Sequence, residues 1–314
     1  MAVTLAQAAT LSTNQLSKGI QEIFVQESPI LDRLPLMSIA GNAYAYNLEA
    51  TLPGVAFRGV NEAYVESTGA FNQRTETLVI LGGDADVDRF IQQTRSDRFS
   101  QRAEQDKLKV KAMSYKFSDQ FFNGDVAVDP KGFDGLKKRL VGSQVLDAGT
   151  NGIPVLGNGG TDAYAFFDAL DALLAQCPNA DALYLNRQIR AKIISASRRL
   201  GGVELVKEDL TGKRVAMWQG VPMLDPGDNL AGTQILPQTE TQGSSSATSS
   251  IYAVRYGSSD GDQAVTGLTN GGVMVDDLGQ LQEKPALRTR IEFYCGLAVF
   301  GGKGAARLRG ILNA

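Results

Sequence analysis

The chain has 314 residues, a formal net charge of −3 and no histidine. That length is enough for one large domain or two ordinary ones with a real core. The charge excludes a strongly basic nucleic-acid binder as a reading of the whole molecule, and the missing imidazole removes the usual general base near neutral pH and the commonest metal ligand. Carboxylate, lysine, tyrosine and cysteine chemistry stay open. The two cysteines, Cys177 and Cys295, have neither metal nor redox spacing and read as buried thiols in a reducing cell. No positive charge precedes Lys18, which argues against a secretory signal, and no stretch approaches the ~20 apolar residues of a membrane span. The expectation is a soluble protein that works in a cytoplasm.

In chain order, residues 1–14 are small and polar without a periodic face, so they are expected to be mobile. Leu16, Ile20, Ile23, Phe24 and Glu27 then give the spacing of a short helix that Pro29 ends. The two prolines of Ser28-Pro-Ile-Leu-Asp-Arg-Leu-Pro35 predict an extended segment, an arm whose apolar residues dock elsewhere. Strand character begins at Met37 and runs through Ala43-Tyr-Ala-Tyr46, and a second strand is expected at Thr77-Leu-Val-Ile-Leu81. The two strands are expected to pair, and between them lies a polar excursion of about thirty residues, punctuated by Pro53, Gly54, Gly59 and Gly69. A two-stranded ribbon is marginal in water, so this one must lie on something: its own domain, as a flap, or a neighbouring subunit. Ribbon physics alone leaves both open.

The stretch 84–123 lies between Gly83 and Gly124 and contains neither glycine nor proline, the residues that cost a helix interior most. Phe99, Ala103, Asp106, Val110, Met113, Phe117 and Phe121 recur at spacings of four or three, one face of an amphipathic helix. Asp88 is the expected N-cap and Gly124 the expected left-handed stop. A helix over 88–122 would run roughly 50 Å at 1.5 Å per residue, and it reads as a strut. It carries eight Lys/Arg (Arg89, Arg95, Arg98, Arg102, Lys107, Lys109, Lys111, Lys116) against five acids (Asp88, Asp97, Glu104, Asp106, Asp119). That pattern reads as a solvated face with i,i+4 pairing, or functionally as a face towards nucleic-acid phosphates.

Beyond the strut, 125–150 is mixed, with a turn at Asp129-Pro-Lys-Gly132 and a short basic helix at Gly135-Leu-Lys-Lys-Arg139. Thr161 is expected to cap a helix carrying Tyr164, Phe167, Leu170, Leu173 and Leu174, which Pro178 ends. Ala182-Leu-Tyr-Leu185 is a short buried strand, and Asn186 caps a helix over 187–200 that Gly201-Gly202 stops. Strands at 213–218 and 221–224 complete the alternation of an α/β unit. Residues 238–250 read as a polar, serine-rich loop of the kind found at a surface or an aperture. Strands resume at 251–256 and 272–275, and a long alternating strand over 289–300 precedes a basic end with Lys303, Arg307 and Arg309.

The motifs that could carry chemistry fall away one by one. Gly157-Asn-Gly-Gly160 precedes a helix, but Asp162 stands where the dinucleotide pattern needs a third glycine; it reads as a linker. Thr211-Gly-Lys-Arg214 lacks the flanking residues of a P-loop. Asp84, Asp86 and Asp88 imitate a calcium loop, yet Arg89 and Arg95 occupy its glycine and glutamate positions, so they read as acids at a helix start. Asp225-Pro-Gly-Asp228 is a turn with two carboxylates and no support for a glycosidase pair. Ser195 and Ser197 have no histidine with which to form a triad.

The order of parts (arm, strand, long ribbon, strand, strut helix, α/β insert, return strand) resembles the major capsid proteins of tailed bacteriophages, whose fold is shared with encapsulin shells. Ser28-Pro-Ile-Leu-Asp-Arg-Leu-Pro35 resembles the family's N-terminal arm, 46–78 its extended loop, and Leu81-Gly-Gly-Asp-Ala-Asp-Val-Asp88 its junction of strand and spine helix. Asp277-Leu-Gly-Gln-Leu281 and the 289–300 strand resemble the return into its peripheral domain. The resemblance implies an α+β phage major-capsid fold. Its parts would be an arm over 1–42, an extended β-hairpin loop over 43–82, a peripheral domain with the spine helix over 83–145 and 283–314, and an axial domain over 146–282. It implies a structural protein, not an enzyme, that self-assembles into hexamers and pentamers of an icosahedral shell enclosing double-stranded DNA. Expected partners are the chain itself, separate scaffolding, portal and cement proteins, and DNA bound non-specifically. No cofactor, metal or membrane is expected, and the location is the virion capsid, assembled in the host cytoplasm. Candidate inter-subunit contacts are Ile30, Leu31, Leu34, Phe57, Arg58, Glu62, Tyr64, Phe71, Arg74, Glu283 and Arg288.

Some members of the family weld subunits through a lysine on the extended loop joined to a neighbour's asparagine. No lysine occurs here between Lys18 and Lys107, so a non-covalent shell is expected. The large N-terminal scaffolding segment of some members also has no counterpart, which points to a separate scaffold. Two other readings stand beside this one: an encapsulin-type compartment, and a carboxylate-dependent enzyme or small-ligand binder built on 161–275.

Overall fold

The computed structural model describes residues 3–4, 24, 28–95, 101–157, 162–199, 206–208 and 214–313. The expected mobility of 1–14, the Thr161 cap, the Gly201-Gly202 stop and most of the Leu16–Glu27 helix lie outside these residues. After the short strands β1 (Val3–Thr4) and β2 (Pro35–Ser38), the chain forms a hairpin of β3 (Ala43–Thr51) and β4 (Ala70–Thr77), then β5 (Val79–Asp88). Helices α1 (Arg89–Arg95), α2 (Gln101–Asn123) and α3 (Leu136–Arg139) follow, with β6 (Val145–Asp147) and β7 (Ile153–Pro154). Next come α4 (Asp162–Gln176), β8 (Ala182–Tyr184), α5 (Arg187–Arg199), β9 (Val206–Glu208), β10 (Arg214–Trp218) and β11 (Val221–Leu224). The chain closes with β12 (Glu240–Gln242), β13 (Ser245–Val254), β14 (Val265–Gln280), β15 (Ala286–Val299) and β16 (Ala305–Leu312).

These strands make one sheet in the order β1-β2-β14-β15-β5 and a nine-stranded sheet built on β6-β16-β13-β8-β11-β10-β9, while β3 and β4 pair only with each other. The division departs from the expected one in two places. β14, placed by sequence in the axial unit, lies in the first sheet between β2 and β15. β16, placed in the peripheral unit, pairs with β13 in the second. β14 is carried there by a hairpin with β15, its neighbour in sequence, and by β2, whereas β16 pairs with a strand distant in sequence, which local pattern does not encode.

The strut is shorter than expected. Residues 84–88 are strand: Ala85 and Val87 are buried while Asp84 and Asp86 alternate with them towards the other face. Asp84 lies opposite Arg290 and Asp86 opposite Arg288, bound at 2.8 and 2.6 Å, so these acids form a cross-strand ladder and not a helix start. Asp88 does cap α1, its Oδ1 accepting from the Phe90 amide at 2.7 Å. The main helix α2 has 23 residues, roughly 35 Å at 1.5 Å per residue. Phe99 lies outside the described residues, and Ala103 is exposed. Asp106, Val110, Met113, Phe117 and Phe121 form the buried stripe, packed on the first sheet.

Gly124 does not take the left-handed conformation expected of it. Its role is close approach: a Cβ there would meet the Phe133 carbonyl oxygen at 2.3 Å, and its own carbonyl accepts from Gly135 at 2.9 Å. At this end of α2, Phe122 packs on Tyr184 and Tyr252 of the second sheet, ring centroids 5.4 and 5.1 Å apart. The helix therefore ties the two sheets into one core.

In the second sheet, Tyr184, Tyr252 and Val254 face that shared core, while the alternate residues Leu183, Ile251 and Ala253 face Phe166, Leu170 and Leu173 of α4 and Ile189 and Ile193 of α5. Asn186 caps α5 as expected, accepting from the Gln188 amide at 2.8 Å. The serine-rich 238–250 segment is a hairpin, not a surface loop: Thr248, Ser249 and Ser250 are buried, because Arg307 of β16 binds both Glu240 oxygens at 2.9 Å and donates from Nε to Ser250 Oγ at 3.0 Å.

The arm is corrected too. Residues 29–33 form a turn, not an extended segment. Ser28 Oγ accepts from the Ile30 amide at 3.3 Å, the Leu34 amide donates to the Ile30 carbonyl at 2.8 Å, and Ser28 Oγ also bonds Ser118 Oγ of α2 at 2.8 Å. A serine followed by proline suits the start of a helical turn, where proline's missing N–H is no loss. Ile30, Leu31 and Leu34 are each 0 % exposed in their own subunit's core. They have no surface to offer a neighbour, which removes them as inter-subunit contacts.

Candidate assembly surface

The β3–β4 hairpin pairs from Ala43 with Thr77 at its foot to Thr51 with Ala70 at its far end, with an irregularity between Glu49 and Thr51. The foot is clamped. Tyr46 is buried against Phe300 (4.7 Å between ring centroids) and stacks with Tyr44 at 6.3 Å. Its hydroxyl donates to Glu76 at 3.3 Å; burial, and then the Glu76 charge, push its pKa up to about 12. Arg139 of α3 grips Glu76 with both terminal nitrogens, one at 2.7 Å. The Leu78 amide donates to Asn42 at 2.8 Å, closing the stem.

Beyond the stem, residues 52–69 have no sheet partner and are held only by bonds within the tip. Arg58 donates to the Glu62 carbonyl at 2.9 Å and lies 5.1 Å from the Tyr64 ring; Glu62 accepts from the Gly59 amide at 2.8 Å; Ser67 donates to Gly54 at 2.9 Å. Val55, Phe57 and Val60 are 93 % exposed or more, and Leu52, Tyr64, Val65 and Phe71 at least 70 %. Monomeric proteins rarely leave apolar surface open on this scale.

The other predicted residues divide. Arg74 is exposed on the stem and Glu283 is exposed between β14 and β15. Arg288 is engaged within its own subunit, binding Asp86 at 2.6 and 2.8 Å and Asp84 at 3.3 Å, so it serves the ladder; Arg288 and Lys284 hold the Asp86 carboxyl well below the usual carboxylate range. On α2, Lys107 pairs with Glu104 three residues away at 3.1 Å, whereas Arg102 reaches Asp277 of β14 at 2.5 Å and Lys116 reaches Asp129 beyond the helix at 3.9 Å.

Reactive chemistry finds no centre among the described residues. Asp225 and Asp228 both bind Arg187, at 3.3 and 2.5 Å. The Ser197 hydroxyl donates to the Ile194 carbonyl at 3.1 Å. Burial pushes the Cys177 and Cys295 thiols up to about 12, which suits inert core residues. No group of three His, Cys, Asp or Glu could hold a metal ion among the described residues, and none of their helices is long and apolar enough to cross a membrane. Residues 158–160 and 211–213, from the two discarded glycine motifs, lie outside the described residues.

Residues 13–164 match the family of major capsid protein GP7. No curated protein matches the sequence. Among solved structures, the holo-SrpI encapsulin complex from Synechococcus elongatus PCC 7942 is similar with a TM-score of 0.63 and 18 % identity, over 89 % of this chain and 86 % of that one. The capsid of a native GTA particle gives 0.63 at 14 % identity, over 91 % and 90 %. Mycobacterium phage Bobi gives 0.59 at 17 % identity, over 90 % and 89 %. Residues 13–164 thus match the model of major capsid protein GP7, and the chain has the fold that phage, GTA and encapsulin shells share over some nine-tenths of its length.

Proposed function

We propose that this chain is the building block of an icosahedral shell, in which hexamers and pentamers enclose double-stranded DNA. The observation that carries this reading is the ribbon: a stem clamped to the body aims an apolar tip outwards, and none of the described residues of its own subunit covers it. Such a tip gains stability only by lying on another copy. Single contacts of this kind are weak, but repetition around closed rings turns them into a strong assembly. Separate scaffolding, portal and cement proteins would complete the particle. The absence of lysine from the ribbon supports a shell without covalent welds.

Sedimentation and negative-stain electron microscopy of the purified chain, with scaffold supplied, test the reading. Closed particles, or capsomers in equilibrium with them, are expected; a clean monomer under those conditions refutes it. The similarity to an encapsulin complex favours one second reading, a protein-filled cellular compartment. The contents separate the two: nuclease-protected DNA for the capsid, a co-purifying enzyme for the compartment.

A further inference from the structure

At the foot of the ribbon the subunit carries an apolar notch between β5 and the loop that follows α2. Val79, Ile80 and Leu81 line one side, Phe117 and Phe133 the other. Its volume is about 130 Å³, close to the roughly 150 Å³ of an apolar cavity that takes up a benzene ring. The notch is preformed. Gln120 Nε2 donates to the Phe133 carbonyl at 2.8 Å, and the loop lies so tightly on α2 that a Cβ on Gly132 would meet Gln120 Nε2 at 2.3 Å. Ile80, on its rim, is 72 % exposed. Lys116 and Lys131 stand at the same rim, Lys116 with Asp129 at 3.9 Å, while no partner of the Lys131 ammonium occurs among the described residues.

We propose that this notch receives the Phe57 ring of a second copy of the chain, with Glu66 of the same tip facing Lys131. The inference rests on the ribbon reading given above and names the surface that the tip meets. Phe57 is the bulkiest apolar group that the tip leaves wholly open, and the notch has the size of its ring. Its own subunit's notch is out of reach. Ile80 lies just past the foot of the hairpin, whereas Phe57 lies beyond its far end, and the rise from Thr77 to Ala70 alone is about 23 Å at 3.3 Å per residue. Charge agrees. The tip has Glu62 and Glu66 against Arg58, and the rim has Lys116 and Lys131 against Asp129, so the two surfaces have opposite sign, which favours this pairing over random contacts.

The test is assembly of the full chain with scaffold, read as the critical concentration for particles. Phe57→Ala, Glu66→Lys and Lys131→Glu each raise it at least tenfold while leaving thermal unfolding of the unassembled subunit unchanged, because all three side chains are exposed. Combining Glu66→Lys with Lys131→Glu restores it to within about threefold of wild type, a rescue that general damage to the surface would not give. If the wild type assembles and Phe57→Ala assembles equally well, or if the double reversal does not rescue, the notch is not the receiving site, although the shell reading stands. If the wild type forms no oligomer under any of these conditions, both fall.

Discussion

Arg139 holds both carboxylate oxygens of Glu76 at the place where the ribbon leaves the body of the subunit. Their side chains are only 10 % and 13 % exposed, and the Tyr46 hydroxyl adds a further donor to Glu76. The pair links the short helix after α2 to β4, so the direction of the ribbon is fixed from the core outward. Removing one partner leaves a nearly buried charge uncompensated. Arg139→Ala is therefore expected to cost about 3 kcal/mol in denaturant unfolding, and to increase limited proteolysis of 43–77 in the folded subunit. Replacing both residues by leucine should recover most of the stability and still leave the ribbon less well aimed, which the proteolysis assay reads separately.

Asp106 is the one acid in the buried stripe of α2, 4 % exposed, and its Oδ1 has no hydrogen-bond partner. The nearest cation, Arg102, is turned to Asp277 at 2.5 Å and to Thr289 at 2.9 Å, leaving Asp106 with one 3.4 Å bond from Thr289. Burial raises its pKa above the ordinary carboxylate value. The sign follows: the folded state binds this proton more tightly than the unfolded chain does, so the stability it contributes is present below the unfolded pKa and is lost as pH rises through the folded one. Asp106→Asn is expected to raise the thermal midpoint at pH 7 and to flatten its dependence on pH just above the ordinary carboxylate range. A variant less stable than wild type at pH 7 would contradict this.

The stripe on α2 was legible because a helix buried on one side repeats every three or four residues, and Val110, Met113, Phe117 and Phe121 all keep that period. The start of the strut was misread for an equally specific reason. Asp84, Ala85, Asp86, Val87 and Asp88 alternate with a period of two, but the partners that make this a strand, Arg288 and Arg290, lie about two hundred residues away. Non-local pairing likewise places β16 beside β13, whereas β14 lies in the first sheet through its hairpin with β15. Ser28 and Pro29 carried a local signal for a helical turn that was outweighed by reading two prolines as extension. Tyr44, Tyr46 and Leu48 alternate towards the body and mark β3 as a strand, but its hairpin partner is 70–77 and not 77–81, because β4 is almost wholly exposed and carries no apolar alternation.

The sequence between Lys18 and Lys107 offers no ε-amine, so no isopeptide bond can form through a lysine of the ribbon. Assembled particles boiled in detergent are expected to run as single chains near 33.6 kDa. A ladder of linked species would show that another lysine does the welding, and mass spectrometry of the linked peptide would name it.

The tip and the core can be separated by deletion. Residues 52–71 contribute nothing to the three buried clusters, while Tyr46, Glu76 and Leu78 at the stem belong to the body. Replacing 52–69 with an Asn-Gly turn joins Thr51 to its own partner Ala70 through a favoured hairpin connection, and shortening a flexible loop changes closure entropy by well under about 2 kcal/mol. The variant should therefore unfold within about 1 kcal/mol of the wild type, remain soluble, and sediment as a monomer under conditions where the wild type forms particles. If it assembled into shells like the wild type, the tip would be a flap, and the contacts that close the shell would have to be sought on the body of the subunit instead.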